Sequence, residues 1–190
     1  GRSRGNLVYG LCKADLSTGE LEAYEFDDRD AEGAVFLELE RILPKEILLP
    51  AEMAPLLSGT AFGGSLTVVS VPDQAERADL LARQFPFPDP LFKEKTVASQ
   101  ALAMILRYVR ETQFSEAPHM KKVRFFQESG SMVIDPATVQ NLDLLENRFS
   151  RDGKGSLFHV LNQFLTAPGA RELKKWILYP LKELKSIEER

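Results

Sequence analysis

The chain has 190 residues, 44% hydrophobic and 27% charged, with a formal net charge of −4. That balance is ordinary for a soluble globular protein, and the length suffices for one large or two small domains. It excludes a helix that spans a membrane, because no apolar run approaches the ~20 residues a bilayer requires. The single cysteine, Cys12, excludes an internal disulfide and fits a reducing compartment.

The opening Gly1-Arg2-Ser3-Arg4-Gly5 is basic, but no apolar segment follows it and no initiating Met precedes it. The chain therefore reads as a piece of something longer, without a signal peptide. With only Cys12, His119 and His159 available, no zinc site is expected. Charge is uneven. Residues 1–115 hold 12 Lys and Arg against 18 Asp and Glu, giving −6; residues 116–190 hold 12 against 10, giving +2. Neither half carries the basic stripe of a free-standing DNA binder.

Leu7 to Asp15 is apolar on both alternations, with Leu7, Tyr9 and Leu11 on one side and Val8, Cys12 and Ala14 on the other. That pattern predicts a central strand covered on both faces. Ser17-Thr18-Gly19-Glu20 is a turn, and Leu21, Ala23 and Tyr24-Glu25-Phe26 return as the second strand of a hairpin. From Asp30 to Leu43, Ala34, Leu37 and Ile42 recur at near-helical spacing with Glu32, Glu38 and Glu40 between them. A surface helix ending at Pro44 is expected. Glu46 to Pro50 is a short buried strand, and Ala51 to Leu57 a short helix broken at Gly59. Leu66 to Val71 is a β-branched strand, and Pro72-Asp73 opens a helix running through Leu80 and Leu81. Phe85-Pro86-Phe87-Pro88-Asp89-Pro90 is a proline-stiffened loop.

Thr96 to Thr112 is the longest helix of the first half. Ala98, Leu102, Ile105 and Val109 form its stripe, flanked by Ala101, Met104 and Tyr108, so this helix should pack deep against a sheet. Phe114 to Lys122 reads as a linker. Val123 to Glu128 reads as a short strand leading into the second part.

Met132 to Glu146 marks the join between two architectures. Met132, Val133 and Ile134 are apolar; Asp135 stands at a helix N-cap with Pro136 first in the helix, and Val139, Leu142, Leu145 and Phe149 would share one face. After Gly153-Lys154-Gly155, Ser156 caps a helix whose apolar face is Leu157, Phe158, Leu161, Phe164 and Leu165. Thr166 caps another that carries Ala170, Leu173, Trp176 and Ile177 and stops at Pro180. A last helix begins near Glu183 and shows no C-cap by Arg190.

Several of these strings resemble motifs of MutS-type DNA mismatch-repair proteins. Tyr9-Gly10-Leu11 through Asp15-Leu16-Ser17-Thr18-Gly19-Glu20 is similar to the start of their connector domain, as are Pro44 to Pro50, Tyr108 to Gln113 and Pro118-His119-Met120 to later parts of it. Ile134-Asp135, Thr138 and Asn141-Leu142-Asp143-Leu144 resemble the signature opening the core domain. Thr166 to Arg171, with Gly169 and Arg171, and Trp176 through Pro180-Leu181 resemble its continuation. Val139-Gln140 and Asp143 depart from the usual residues. The resemblance implies an α/β connector domain of RNase H-like type, a mixed sheet with flanking helices, over residues 1–115. An all-α segment, the incomplete core domain, follows over 116–190. It implies a non-catalytic fragment that relays between mismatch binding and an ATPase and docks a MutL-type partner. The parent would bind mismatched duplex DNA, ATP and Mg, form a dimer, and work in the cytoplasm near the nucleoid.

Candidate chemistry is sparse. Gly153-Lys154-Gly155-Ser156 has phosphate-loop composition but lacks the G-x-x-x-x-G-K-[ST] spacing and a preceding strand, so a turn is expected. Gly63-Gly64-Ser65 is likewise a turn. An RNase H-like nuclease, the alternative reading, needs carboxylates converging on two cations; only Asp15 and Glu46 lie on early strands. A MutS relative acting in recombination is a further alternative. Phe126-Gln127-Glu128 has the F-x-E form of the family's mismatch-inserted Phe but lies at the wrong place in the chain, so Phe126 is expected in a core. His119 and His159 lack catalytic partners, and Trp176 follows the Leu173 stripe as a packing residue. The residues Asp15, Ser17, Thr18, Gly19, Glu20, Asp135, Thr138, Asn141, Leu142, Gly169, Arg171, Trp176 and Pro180 are therefore expected to be structural.

Overall fold

A computed structural model describes residues 2–3, 6–27, 31–57, 64–87, 89–113, 118–126, 131–132, 134–150 and 153–189. The expected helix break at Gly59, the turn glycine Gly63, linker residues 114–117, Gln127, Glu128 and Val133 lie outside that set. The chain forms two compact units, Gly1–Phe126 and Gln127–Arg190.

The first unit is mixed α/β. Its elements in order are β1 (Arg2–Ser3), β2 (Asn6–Leu7), β3 (Tyr9–Asp15), β4 (Glu20–Phe26), α1 (Ala31–Ile42), β5 (Glu46–Leu49), a 3-10 turn at Ala51–Met53, and α2 (Ala54–Leu57). Then come β6 (Ser65–Val68), α3 (Gln74–Gln84), α4 (Leu91–Glu94), α5 (Thr96–Gln113) and β7 (Val123–Phe125). β3 and β4 pair antiparallel from Tyr9↔Phe26 to Asp15↔Glu20, and β4 pairs parallel with β7. The described strands make three small sheets: β1-β2, β3-β4-β7 and β5-β6.

Two strand expectations change here. β3 is covered on both faces, since Cys12 and Ala14 pack on one core and Tyr9 and Leu11 on the others. Yet it lies at an edge of its sheet, and β4 holds the centre. Apolar alternation reports helix cover on the two faces and is silent on which edges are hydrogen-bonded. β7, expected to lead into the second part, instead adds to the first sheet, with Phe126 N donating to Ala23 O at 2.8 Å.

The main core lies where α5 crosses the three-stranded sheet. Leu102, Leu106 and Val109 of α5 meet Leu21, Leu81, Phe85, Phe92 and Met120. Phe92 stacks at a tilt between Phe85 (5.3 Å) and Phe125 (5.8 Å). It sits on α4, a turn of helix that the proline-rich stretch concealed. On the opposite face α1 covers Tyr24, Phe26 and Leu49 through Ala31, Val35 and Leu39. Glu38 was expected on the surface of α1. It is buried, and it pairs with buried Arg41 one turn on, at 3.5 Å. Beyond Ile42, Leu43 takes a left-handed φ of 48° and lets the chain turn into β5.

The described part of the second unit is helical, apart from one antiparallel bridge between Ser131 and Leu181. Its helices are α6 (Pro136–Asn141), α7 (Leu157–Leu161), α8 (Ala167–Leu178) and α9 (Leu184–Glu188). The expected stripe from Val139 to Phe149 is cut short. Asp143 adopts φ 48°, a conformation its short polar side chain tolerates, so the helix ends at Asn141. Leu142 and Phe149 are left exposed. α7 is shorter still, and Leu157, Leu161, Phe164 and Leu165 do not form a buried face.

Candidate functional site

The hairpin turn is built from Asp15. Its carboxylate accepts from Ser17 N (2.9 Å), Ser17 Oγ (2.6 Å) and Thr18 N (3.3 Å), while Gly19 N donates to Asp15 O. Such self-bonded Asx turns fix a loop without a ligand. Gly19 has φ 77°, and a Cβ there would meet His119 O at 2.6 Å. The His119 ring Nε2 lies 2.9 Å from Leu16 O. His119 thus closes over the turn, a contact 100 residues long that no local pattern announces. Glu20, which opens β4, is exposed.

The nuclease candidates are committed elsewhere. Asp15 serves the turn. Glu46 Oε1 accepts from Tyr108 OH (2.8 Å) and Thr67 Oγ1 (2.6 Å), tying α5 to the β5-β6 sheet. That bond to Glu46 is the chief cause that raises the Tyr108 phenol's pKa. Among the described residues no three His, Cys, Asp or Glu are grouped to hold a metal ion. Burial raises the Cys12 thiol pKa, and the Glu22 charge adds to it.

In the second unit, Asp135 caps α6, accepting from Thr138 N (2.9 Å) and Thr138 Oγ1 (2.6 Å). The Thr138 hydroxyl is the first cause that lowers the Asp135 carboxyl's pKa. Asn141 Oδ1 accepts from Arg148, whose guanidinium lies 5.0 Å from the Phe149 ring centre. Gly169 admits the Phe164 ring, which a Cβ would meet at 2.7 Å. Pro180 O accepts from Met132 N at 2.7 Å, closing the stretch before α6 onto the end of α8. Arg171 is exposed. Trp176, expected as a packing residue, is 39% exposed and donates from Nε1 to Glu172. The Gly153–Ser156 turn consumes its own groups: Ser156 Oγ donates to Gly153 O and accepts from His159 N. Phe126 packs its ring 5.0 Å from Tyr24.

Within each unit the described signature residues hold local structure, the hairpin turn in the first and helix ends and close approaches in the second. The side chains that connect distant elements carry no local signal in the sequence. Arg107 of α5 reaches Glu76 and the Ser70 carbonyl, and Glu25 of β4 reaches the start of α5. Their partners lie 31 to 73 residues away, beyond any periodic signal.

A family model described as MutS domain II matches residues 2–121, and one described as MutS domain III matches 137–190. The chain belongs to the MutS family of DNA mismatch-repair proteins. It is 32% identical over 183 residues to the DNA mismatch repair protein MutS of Desulfitobacterium hafniense, covering 96% of this chain and 20% of that protein. Against the MutS of Roseiflexus castenholzii it is 31% identical over 225 residues, covering 95% and 21%. Against that of Caldanaerobacter subterraneus subsp. tengcongensis it is 27% identical over 191 residues, covering 96% and 22%. The chain spans about a fifth of the length of these curated MutS relatives. β7 falls between the two MutS domain matches. No helix among the described residues is long and apolar enough to cross a membrane.

Proposed function

We propose that this chain is the non-catalytic relay of a MutS-type mismatch-repair protein: its connector domain and the start of its core. It transmits a conformational signal between binding of mismatched duplex DNA and an ATPase, and it docks a MutL-type partner. The observation that carries this reading is the order of the two family matches, domain II then domain III, along two compact units. A relay needs a stiff body that two sites can bias, and the buried α5, tied to α3, β4 and β5, supplies one.

The mixed β3-β4-β7 sheet with helices on both faces is compatible with an RNase H-like connector. A nuclease would need free convergent carboxylates, and Asp15 and Glu46 are both engaged. The parent protein would take ATP and Mg outside this chain, since the Ser156 hydroxyl is spent inside its own turn and does not fit a phosphate cradle. The parent would act as a dimer, in the cytoplasm near the nucleoid.

The test is binding of a MutL-type protein to the 190-residue chain without ATP or DNA, followed by amide exchange. Weak, salt-sensitive binding with protection in the first unit is expected. Protection only in residues 127–190, or no binding at high micromolar concentration, overturns the docking role. Duplex DNA should bind weakly at physiological salt, because phosphate neutralisation dominates such affinity. Metal-dependent DNA cleavage abolished by Asp15→Asn would overturn the non-catalytic reading.

A further inference from the structure

The first four N–H groups of a helix have no partner within it. At α5, two of these donors point at a residue from another element. Val97 N and Ala98 N donate to Glu25 Oε2 of β4 at 3.0 and 3.1 Å, and Lys95 Nζ lies 3.9 Å from Glu25 Oε1. The Glu25 side chain is 11% exposed, so this is a screened, charge-assisted contact. The residue paired with Glu25 across the hairpin is Gly10. A Cβ on Gly10 would lie 2.3 Å from Val97 O, so only glycine lets the helix start come this close to the sheet. One cross-strand pair therefore forms a socket: the glycine admits the helix end and the glutamate holds it.

The socket sits on the strand that β7 joins. Leu21, Glu22 and Ala23 of β4 pair with Val123, Arg124 and Phe125, and Phe126 N donates to Ala23 O, two residues from Glu25. β7 is the last element of the first unit. Phe126 packs on Tyr24, on the sheet face away from α5.

We propose that the Gly10–Glu25 pair is a latch through which displacement of the β4-β7 seam is passed to the start of α5, with Glu25 as the positioning residue. This deepens the relay reading by naming the contact that transmits. Its readout is independent of MutL-type docking, so either idea can fail alone.

The experiment is residue-resolved amide exchange on the full 190-residue chain, comparing the wild type, Glu25→Gln, Phe126→Ala and the double variant. Losing a hydrogen bond to a charged group should speed exchange of Val97 and Ala98 about tenfold or more in Glu25→Gln. Amides of β5 and β6 should stay unchanged. Phe126→Ala should speed Ala23, Val97 and Ala98 when Glu25 is present. In the Glu25→Gln background it should still speed Ala23 but add nothing at Val97 and Ala98. Additive effects at those two amides overturn the latch, because a purely structural cap gives additivity. Unchanged exchange at Val97 and Ala98 in Glu25→Gln, or equal acceleration of every amide in the unit, overturns it too. Should Glu25→Gln not fold, Lys95→Met removes only the flanking cation. It should give a smaller rise at the same two amides, and no rise there counts against the proposal.

Discussion

The two units use similar apolar residues to different ends. In the first, α5 lies across a sheet and buries Leu102 and Leu106 in a core shared with β3, β4, β7, α3, α4 and the connecting segments. In the second, Leu144 and Leu178 are the only buried apolar side chains among the described residues, while Phe149 is 84% and Leu161 49% exposed. Both regions carry helix caps and apolar residues at helical spacing. Caps and spacing are local, and they specify helices. A core also needs a second layer within reach, which the first unit has in its sheet and the described part of the second does not.

Paired truncations would break that comparison most directly. Leu102→Ala should cost about 2–5 kcal/mol, as a fully buried leucine leaves a cavity, whereas Leu161→Ala should cost well under about 1 kcal/mol. Urea titration followed by amide exchange in each unit measures both, and equal costs would refute the contrast. Next is Gly19→Ala. The left-handed φ and the His119 carbonyl leave no space for a Cβ, so a loss of about 1–3 kcal/mol is expected, read as a lower Tm of the first unit only. Leu43 gives the opposite sign. Its φ of 48° is poor for a leucine, so Leu43→Asn should stabilise the first unit slightly, by less than about 1 kcal/mol. The smallest effect concerns Asp135. Its carboxyl titrates below the ordinary value of 3.8 when folded, so its cap is fully formed above that value and is lost as pH falls through and below it. The protection factor of Thr138 should drop in acid while those of the buried middle of α5, at Leu102 and Leu106, hold steady to lower pH.

Much of the first unit was legible. The hairpin, α3 with its Asp73 cap, and the long α5 follow from turn residues, caps and periodicity, which are local signals. Pairing of β7 with β4 joins residues about 100 apart, and three residues of strand carry no mark of their partner. Glu38 reads as a surface acid because its partner Arg41 looks equally solvated; only the packing of α1 buries both. Asp143 ended α6 through its backbone conformation, which helical spacing cannot show. The candidate residues were legible as a family signature, and their work was foreseeable for the turn residues Ser17 to Glu20 and for the Asp135 cap. Gly10 and Gly19 owe their identity to neighbours brought in from elsewhere in the chain.

The parallel seam between β4 and β7 has a consequence for the order in which the protein takes shape. During synthesis the hairpin emerges early, but its sheet lacks an outer strand, and the main core lacks Met120, Val123 and Phe125, until residues beyond 120 have appeared. Closing so long a loop is entropically slow compared with forming hairpins and helices. The nascent chain should therefore wait, with α5 formed and one sheet edge open, until Phe126 clears the ribosome. In that interval a chaperone, or a neighbouring chain, would find the uncovered edge of β4.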